Sequence, residues 1–217
     1  MNSTALLALF RSEMSDEATP YLWTDTNVFE YMDDAQKMFC RKTDGISDAT
    51  TTAVVNLAVT PGGDWLTLHA AIKRIRYASR SDTGRPVEII NPDDMPARRW
   101  YFDGTTGAVK ALVIGAEAKK ARIYPTSNET VTVKLTVFRL PLVAIATTAQ
   151  AFEVDEEHHA HLLHWMKHRA YLKQDAETFD RTRAKEFEDK FIAYCAQVQA
   201  EERRKNFKVR TVAYGGI

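Results

Sequence analysis

Five of the six histidines of the chain fall within one stretch, EEHHAHLLHWMKHRAY, residues 156–171. Imidazole binds metals and exchanges protons near neutral pH, so a cluster raises both possibilities. At about 100° per residue, His161, His164 and His168 share one stripe of a helix, while Leu162, Met166 and Ala170 form another more than a quarter-turn away. The histidines are therefore expected to face away from the core. Their i, i+3, i+7 spacing sets three rings on adjacent turns, and zinc would bind if a fourth ligand approached. The HExxH order is absent, however: Glu157 precedes the cluster, and no Cys or Asp close in sequence completes a shell. The reading is a solvated or subunit-facing polar stripe, with a pH-sensitive contact as a second possibility and a metal-dependent enzyme as the alternative. The role of the run from His158 to His168 stays open.

Other catalytic signatures are missing. There is no GxSxG elbow, and neither Cys40 nor Cys195 has a histidine close in sequence. The glycine-rich turns PGGD and DGTTG lack the phosphate-loop spacing and its lysine. Asp33 with Asp34, and Asp93 with Asp94, read as helix surface and loop. No catalytic residue, metal or cofactor is expected, and the chain is read as not an enzyme. Two basic runs remain. KRIRYASRSDTGR carries Lys73, Arg74, Arg76, Arg80 and Arg85, and RRKNFKVR carries Arg203, Arg204, Lys205, Lys208 and Arg210. Such runs contact phosphates without reading base sequence, or are simply solvated.

These groups must be positioned by a chain of 217 residues, long enough for one domain with an insertion or for two small domains. Lys plus Arg and Asp plus Glu number 29 each, so any basic surface is local. Two cysteines cannot build a disulfide framework, which fits a reducing compartment. The opening MNSTALLALFRSEM lacks a basic leader and is too short to span a bilayer, so a soluble cytoplasmic product without membrane association is expected.

Leu6, Phe10 and Met14 recur at helical spacing over 3–14, and Val28, Met32, Ala35 and Phe39 mark a second helix, capped by Thr24 or Asp25 and ended by Gly45. From about residue 51 the period shortens. TTAVVNLAVT, WLTLHAAIKRIRYA (with a bulge or break near Ile72), PVEII, RWYFD, AVKALVI, KARIYP and TVTVKLTVFRL are strand candidates separated by turn signals. Closely spaced strands without helices between them predict an antiparallel sheet, sandwich or small barrel. The helical period then returns, from an N-cap at Asp155 to about Gln174, and again through Ala184, Phe187, Phe191, Tyr194, Cys195 and Val198. The predicted fold is α+β: a discontinuous helical bundle from two N-terminal helices (1–49) and a C-terminal hairpin (150–204), an inserted antiparallel β-domain (50–149), and an extended tail (205–217). In that tail Phe207 and Val209 alternate with basic residues, a pattern suited to docking on a partner.

The order of these pieces resembles the head-to-tail connector adaptors, or head-completion (gateway) proteins, of tailed bacteriophages. The N-terminal carriers are Pro20, Tyr21, Trp23, Thr24, Ala35 and Arg41 in ATPYLWTDTNVFEYMDDAQKMFCRKTDGISD. In the C-terminal half they are Arg169, Ala170 and Tyr171, the acidic turn from Asp175 to Asp180, then Ala184 and Phe191. ARIYPTSNETVTVKLTVFRLP is similar to the strand, proline turn and strand that close the family's insert. The resemblance implies a structural virion protein at the head–tail interface, assembled in the host cytoplasm as a ring of about twelve copies. The ring would bind the portal protein and tail or nozzle proteins and let viral DNA pass without base recognition. It also implies portal docking through Arg203, Arg204, Phe207, Val209, Arg210, Val212 and Tyr214. Another neck or tail-completion protein is the alternative within the same class.

Overall fold

The computed structural model describes residues 1–94, 104–174 and 178–205. Along the chain run α1 (Ser3–Glu13), α2 (Asp25–Lys42), β1 (Ile46–Asp48), α3 (Thr52–Val55), β2 (Asn56–Val59), β3 (Trp65–Thr67), β4 (Ile72–Arg80) and β5 (Glu88–Ile90). They are followed by β6 (Thr106–Gly107), β7 (Ala111–Ile114), β8 (Lys120–Tyr124), β9 (Thr126–Ser127), β10 (Val131–Arg139), α4 (His159–Tyr171) and α5 (Arg181–Lys205). The protein is mixed α+β and divides into two compact units. One joins 1–44 to 143–217, and the other is the continuous stretch 45–142. Residues 143–149, which the sequence reading assigned to the insert, thus lie with the helices. Among the described residues no helix is long and apolar enough to cross a membrane.

In the helical unit α1 and α2 each start where a side chain satisfies one of the first free N–H groups. Asn2 accepts from the Ala5 N–H at 2.9 Å, and Thr24 accepts from the Asn27 N–H at 3.3 Å. α2 ends at Thr43, whose N–H and hydroxyl both donate to the Phe39 carbonyl at 2.9 and 2.8 Å, two residues before the expected Gly45. Leu6, Phe10, Val28, Met32, Leu162, Met166 and Phe191 have no exposed surface. Arg11 organises the link between α1 and α2: it donates to Asp16 at 2.7 Å and to the Trp23 carbonyl at 3.1 Å, reaches Asp25, and lies over the Tyr21 ring. The returning segment is tied to α2 as well, since buried Gln36 donates to the Val143 carbonyl at 3.3 Å and Asp33 accepts from the Ile145 N–H at 3.2 Å.

In the second unit β10 is central. β4 pairs along one edge, and β1 and β2 share the other, all antiparallel. A second sheet has the order β3-β8-β7-β5. Two pairings depart from the antiparallel expectation, β5 with β7 and β6 with β9, both parallel. One apolar cluster takes side chains from both sheets, among them Leu57, Val59, Leu66, Ala78, Leu112, Ile123, Val133, Leu135 and Val137.

The stretch TTAVV, expected as strand, forms the single turn α3. Asp48 accepts the Thr50 and Thr51 N–H groups at 2.9 and 3.0 Å, and Val54 and Val55 donate back to the Thr51 carbonyl, so this Asp-anchored turn outweighs β-branched preference. Asp48 also accepts from Arg139 at 2.6 Å in a pair almost closed to solvent. Burial alone would raise its pKa, but the Thr51 and Thr50 N–H groups and the guanidinium hold it far below the usual carboxylate range. The phase slip near Ile72 is both break and bulge: β3 ends at Thr67, and β4 slips twice against β10, at Thr136/Val137 and Phe138/Arg139. The candidate strand RWYFD lies wholly outside the described residues.

Replacing Arg11 with Ala should cost about 3–5 kcal/mol, because Asp16 stays buried without its cation. Lys190→Ala, which breaks an exposed pair with Glu186 and a contact with the Phe187 ring, should cost much less. Urea unfolding of the two variants measures the difference.

Candidate functional site

α4 is buried on more than one side. Leu162, Met166 and Ala170 have no exposed surface, and Leu163 and Trp165 are nearly covered. α4 packs against α1, α2 and α5. α5 brings the row Ala184, Phe187, Phe191, Tyr194, Cys195 and Val198, and the histidine stripe meets that row. The His161 ring stacks on Tyr194 at 3.6 Å between centroids and 17° between planes. His164 lies parallel to Phe187 at 6.2 Å, and the His168 Nδ1–H donates to the Ala184 carbonyl at 2.9 Å. His158 Nδ1 pairs with the Tyr194 hydroxyl at 2.9 Å, while buried His159 places its nitrogens on the Met1 and Val154 carbonyls.

The expectation that the histidines face away from the core is therefore corrected. A stripe a quarter-turn from the apolar row points to solvent only when a helix has one packed side, and α4 has two. Nor do the three stripe rings converge on an ion: His161 and His164 sit 6.0 Å apart, and His168 Nδ1 is engaged by backbone. Among the described residues, the group whose ligand atoms come within 4.8 Å of one another is Asp155, Glu157 and His158, with both carboxylates exposed. Asp155 sits before a 3-10 turn at Glu156–His158 and makes no side-chain cap bond.

The other candidates have structural occupations. Asp33 holds Lys37 and the Ile145 N–H, and Asp34 accepts from the Trp165 indole at 2.8 Å with Arg169 alongside. Cys40 and Cys195 are buried thiols not joined in a disulfide, and burial pushes the Cys195 thiol up to about 12, so it is not a thiolate at neutral pH. In the first basic run Arg80 is held by Asp82 and Glu129, whereas Arg74 and Arg76 lie over the Phe138 ring, 4.8 and 5.9 Å from its centroid. In the second, Arg203 and Arg204 are on the last turn of α5. Phe207, Val209, Arg210, Val212 and Tyr214 lie outside the described residues. The sequence reading missed Tyr194 as the partner of two histidines; the signal was its place in the α5 apolar row.

Two rings have their pKa lowered. For His164 burial is the main cause, reinforced by His161, Lys167 and Lys190 and opposed by Glu13; its Nδ1 is buried without a hydrogen bond. For His158 burial again leads, opposed by Glu157 and Asp155. The unfolded chain, with histidine near 6.5, thus binds more protons than the folded one. This contribution to stability is complete above about pH 6.5 and is lost as pH falls through the lowered folded values. Urea unfolding between pH 5 and 8 should show a midpoint that rises with pH up to that point, and His164→Phe should flatten part of the rise. A midpoint independent of pH in this window would contradict the burial of these rings.

The geometry of the histidine stripe is that of a packing seam between two helices. No curated protein matches the sequence. A family model described as SU10 adaptor protein matches residues 1–212, and the chain therefore belongs to the SU10 adaptor protein family, a family of phage structural adaptors.

Proposed function

We propose that the protein forms the adaptor ring joining the phage portal to the tail and continuing the DNA channel, without catalytic activity. The family match over 1–212 carries this reading. In it, the four long helices act as a discontinuous bundle that makes the lateral contacts of a ring of about twelve copies. Exposed apolar side chains on the helical unit supply material for such contacts: Leu22, Leu172 and Phe179 are 41, 38 and 50 % accessible. Apolar groups left in water favour burial against a neighbouring surface. The C-terminal segment docks on the portal through Arg203, Arg204, Phe207, Val209, Arg210, Val212 and Tyr214. Terminal arms with alternating apolar and basic residues gain buried area when a partner is present. The protein then resides in the virion after assembly in the host cytoplasm, with tail or nozzle proteins on the far side of the ring.

Mixing purified chain with its portal and imaging the product should give rings seated on the portal. Binding to tail components alone would overturn the reading. Deleting 206–217 should abolish portal docking while leaving the thermal transition of the helices nearly unchanged; a deletion variant that still docks would remove the segment from the interface.

A further inference from the structure

α5 rests on imidazole rings. The Tyr194 hydroxyl pairs with His158 and its ring stacks on His161, Phe187 lies parallel to His164, and the Ala184 carbonyl accepts from His168. These contacts run from Ala184 to Tyr194, about 15 Å of helix at about 1.5 Å per residue. A change of charge in this row therefore acts on α5 over several turns rather than at one end.

His164 is poorly placed to hold a proton while α5 is docked. An imidazolium carries an N–H at both nitrogens, and the buried Nδ1 of His164 has no hydrogen-bond acceptor. The Phe187 ring beside it already carries two cations, the Lys167 and Lys190 ammonium groups, each 5.0 Å from the ring centroid. Each lysine has its own acid: Glu13 of α1 pairs with Lys167, and Glu186 of α5 pairs with Lys190. On the same helix the His161 ring sits 6.0 Å away. The groups that act on His164 are thus His161 and Lys167 from α4, Lys190 from α5 and, opposing them, Glu13 from α1; together with burial they favour the neutral ring.

The opposite side of α4 is built differently. Its ties to α1 and α2 include the Trp23 indole on the Ala170 carbonyl, the Trp165 indole on Asp34, and Lys167 on Glu13. His159 sets both ring nitrogens on carbonyls, those of Met1 and Val154, an arrangement that a second N–H suits. Protonation is therefore compatible with the contacts to α1 and α2 and opposed at the contact with α5.

We propose that the α4–α5 seam is a pH-sensitive latch: in mildly acidic solution His164 takes up a proton as α5 leaves α4, while α1, α2 and α4 stay packed. The loss of stability at low pH is thereby assigned to one helix. α5 ends in Arg203 and Arg204, so under the adaptor reading the latch sets whether the docking arm projects from a fixed or a freed helix; the latch itself does not depend on that reading.

The test is hydrogen exchange of the full chain at pH 7, 6 and 5, with each rate divided by the intrinsic rate at that pH. A histidine that is neutral while α5 is docked and titrates near 6.5 once it is free makes the opening constant grow by up to about tenfold for each pH unit below 6.5. Amides of 184–198 should lose about tenfold in protection between pH 7 and 5, while those of 28–39 in α2 keep theirs. His164→Phe keeps a ring against Phe187 but takes up no proton, so the loss should shrink to about threefold or less. Lys190→Gln leaves the imidazole and removes one cation from the site, and it should also reduce the loss, without the repacking that a new ring brings. Equal loss in α2 and α5, full protection of α5 at pH 5, or a loss undiminished in both variants would each overturn the proposal. A chain that forms rings on the portal but keeps α5 protected at pH 5 would end this inference and leave the adaptor reading standing; the reverse result would end that reading and leave the latch.

Discussion

The helical unit depends on α4 being packed from two sides. α4 meets α1 and α2, where Lys167 pairs with Glu13 and the Trp165 indole reaches Asp34, and it receives α5 through the same Trp165 ring, which lies 5.2 Å from Phe191, and through the histidine rings. α1 and α2 are separated from α4 by about a hundred residues of chain, so the entropy of bringing them together must be met by this burial. Directional bonds then fix the register: the Trp23 indole donates to the Ala170 carbonyl and the Trp165 indole to Asp34. Without α4 neither α1 nor α5 has an apolar surface large enough to hold it, and a lone helix as short as α1 is marginal in water.

This double packing explains what a histidine-rich helix does with its rings. An imidazole is flat, and it stacks on a tyrosine or phenylalanine while keeping a nitrogen for a carbonyl or hydroxyl. At 158, 161, 164 and 168 it therefore acts as a small aromatic residue with one polar edge, lining a seam too polar for leucine and too tight for lysine. At His164 the neutral form is favoured, chiefly by burial, with three cationic or potentially cationic neighbours reinforcing the effect and one acid opposing it.

Local signals were legible where a local cause decides the outcome. The Thr24 cap, the apolar row of α2, the alternation of β10 and the slip near Ile72 were readable because capping, helical period and pleat act over a few residues. The turn α3 was not, since Asp48 and its partner Arg139 lie on strands 91 residues apart in sequence. Nor was the role of Arg11: an arginine at the end of an amphipathic helix reads as solvated until Asp16 and the Trp23 carbonyl close around it. The histidine stripe was misread for a related reason, because angular offset from one apolar row says nothing about a second partner helix. Parallel pairing of β5 with β7 likewise depends on chain path. Recognition of the family rested on the order of elements, a property of the whole chain, while the docking residues from Phe207 onward lie outside what the structure describes.

The partition of charge between the units carries the same separation of roles to the surface. Residues 45–142 hold the cationic excess, and the neutral total leaves the helical unit correspondingly acidic. Much of the charge on α5 is consumed in exposed pairs one turn apart, Lys185 with Glu188 and Asp189, and Lys190 with Glu186. Such pairs add a few tenths of a kcal/mol each and leave little net field. On β4 and β10 the arrangement differs, because Arg74 and Arg76 lie over an aromatic ring.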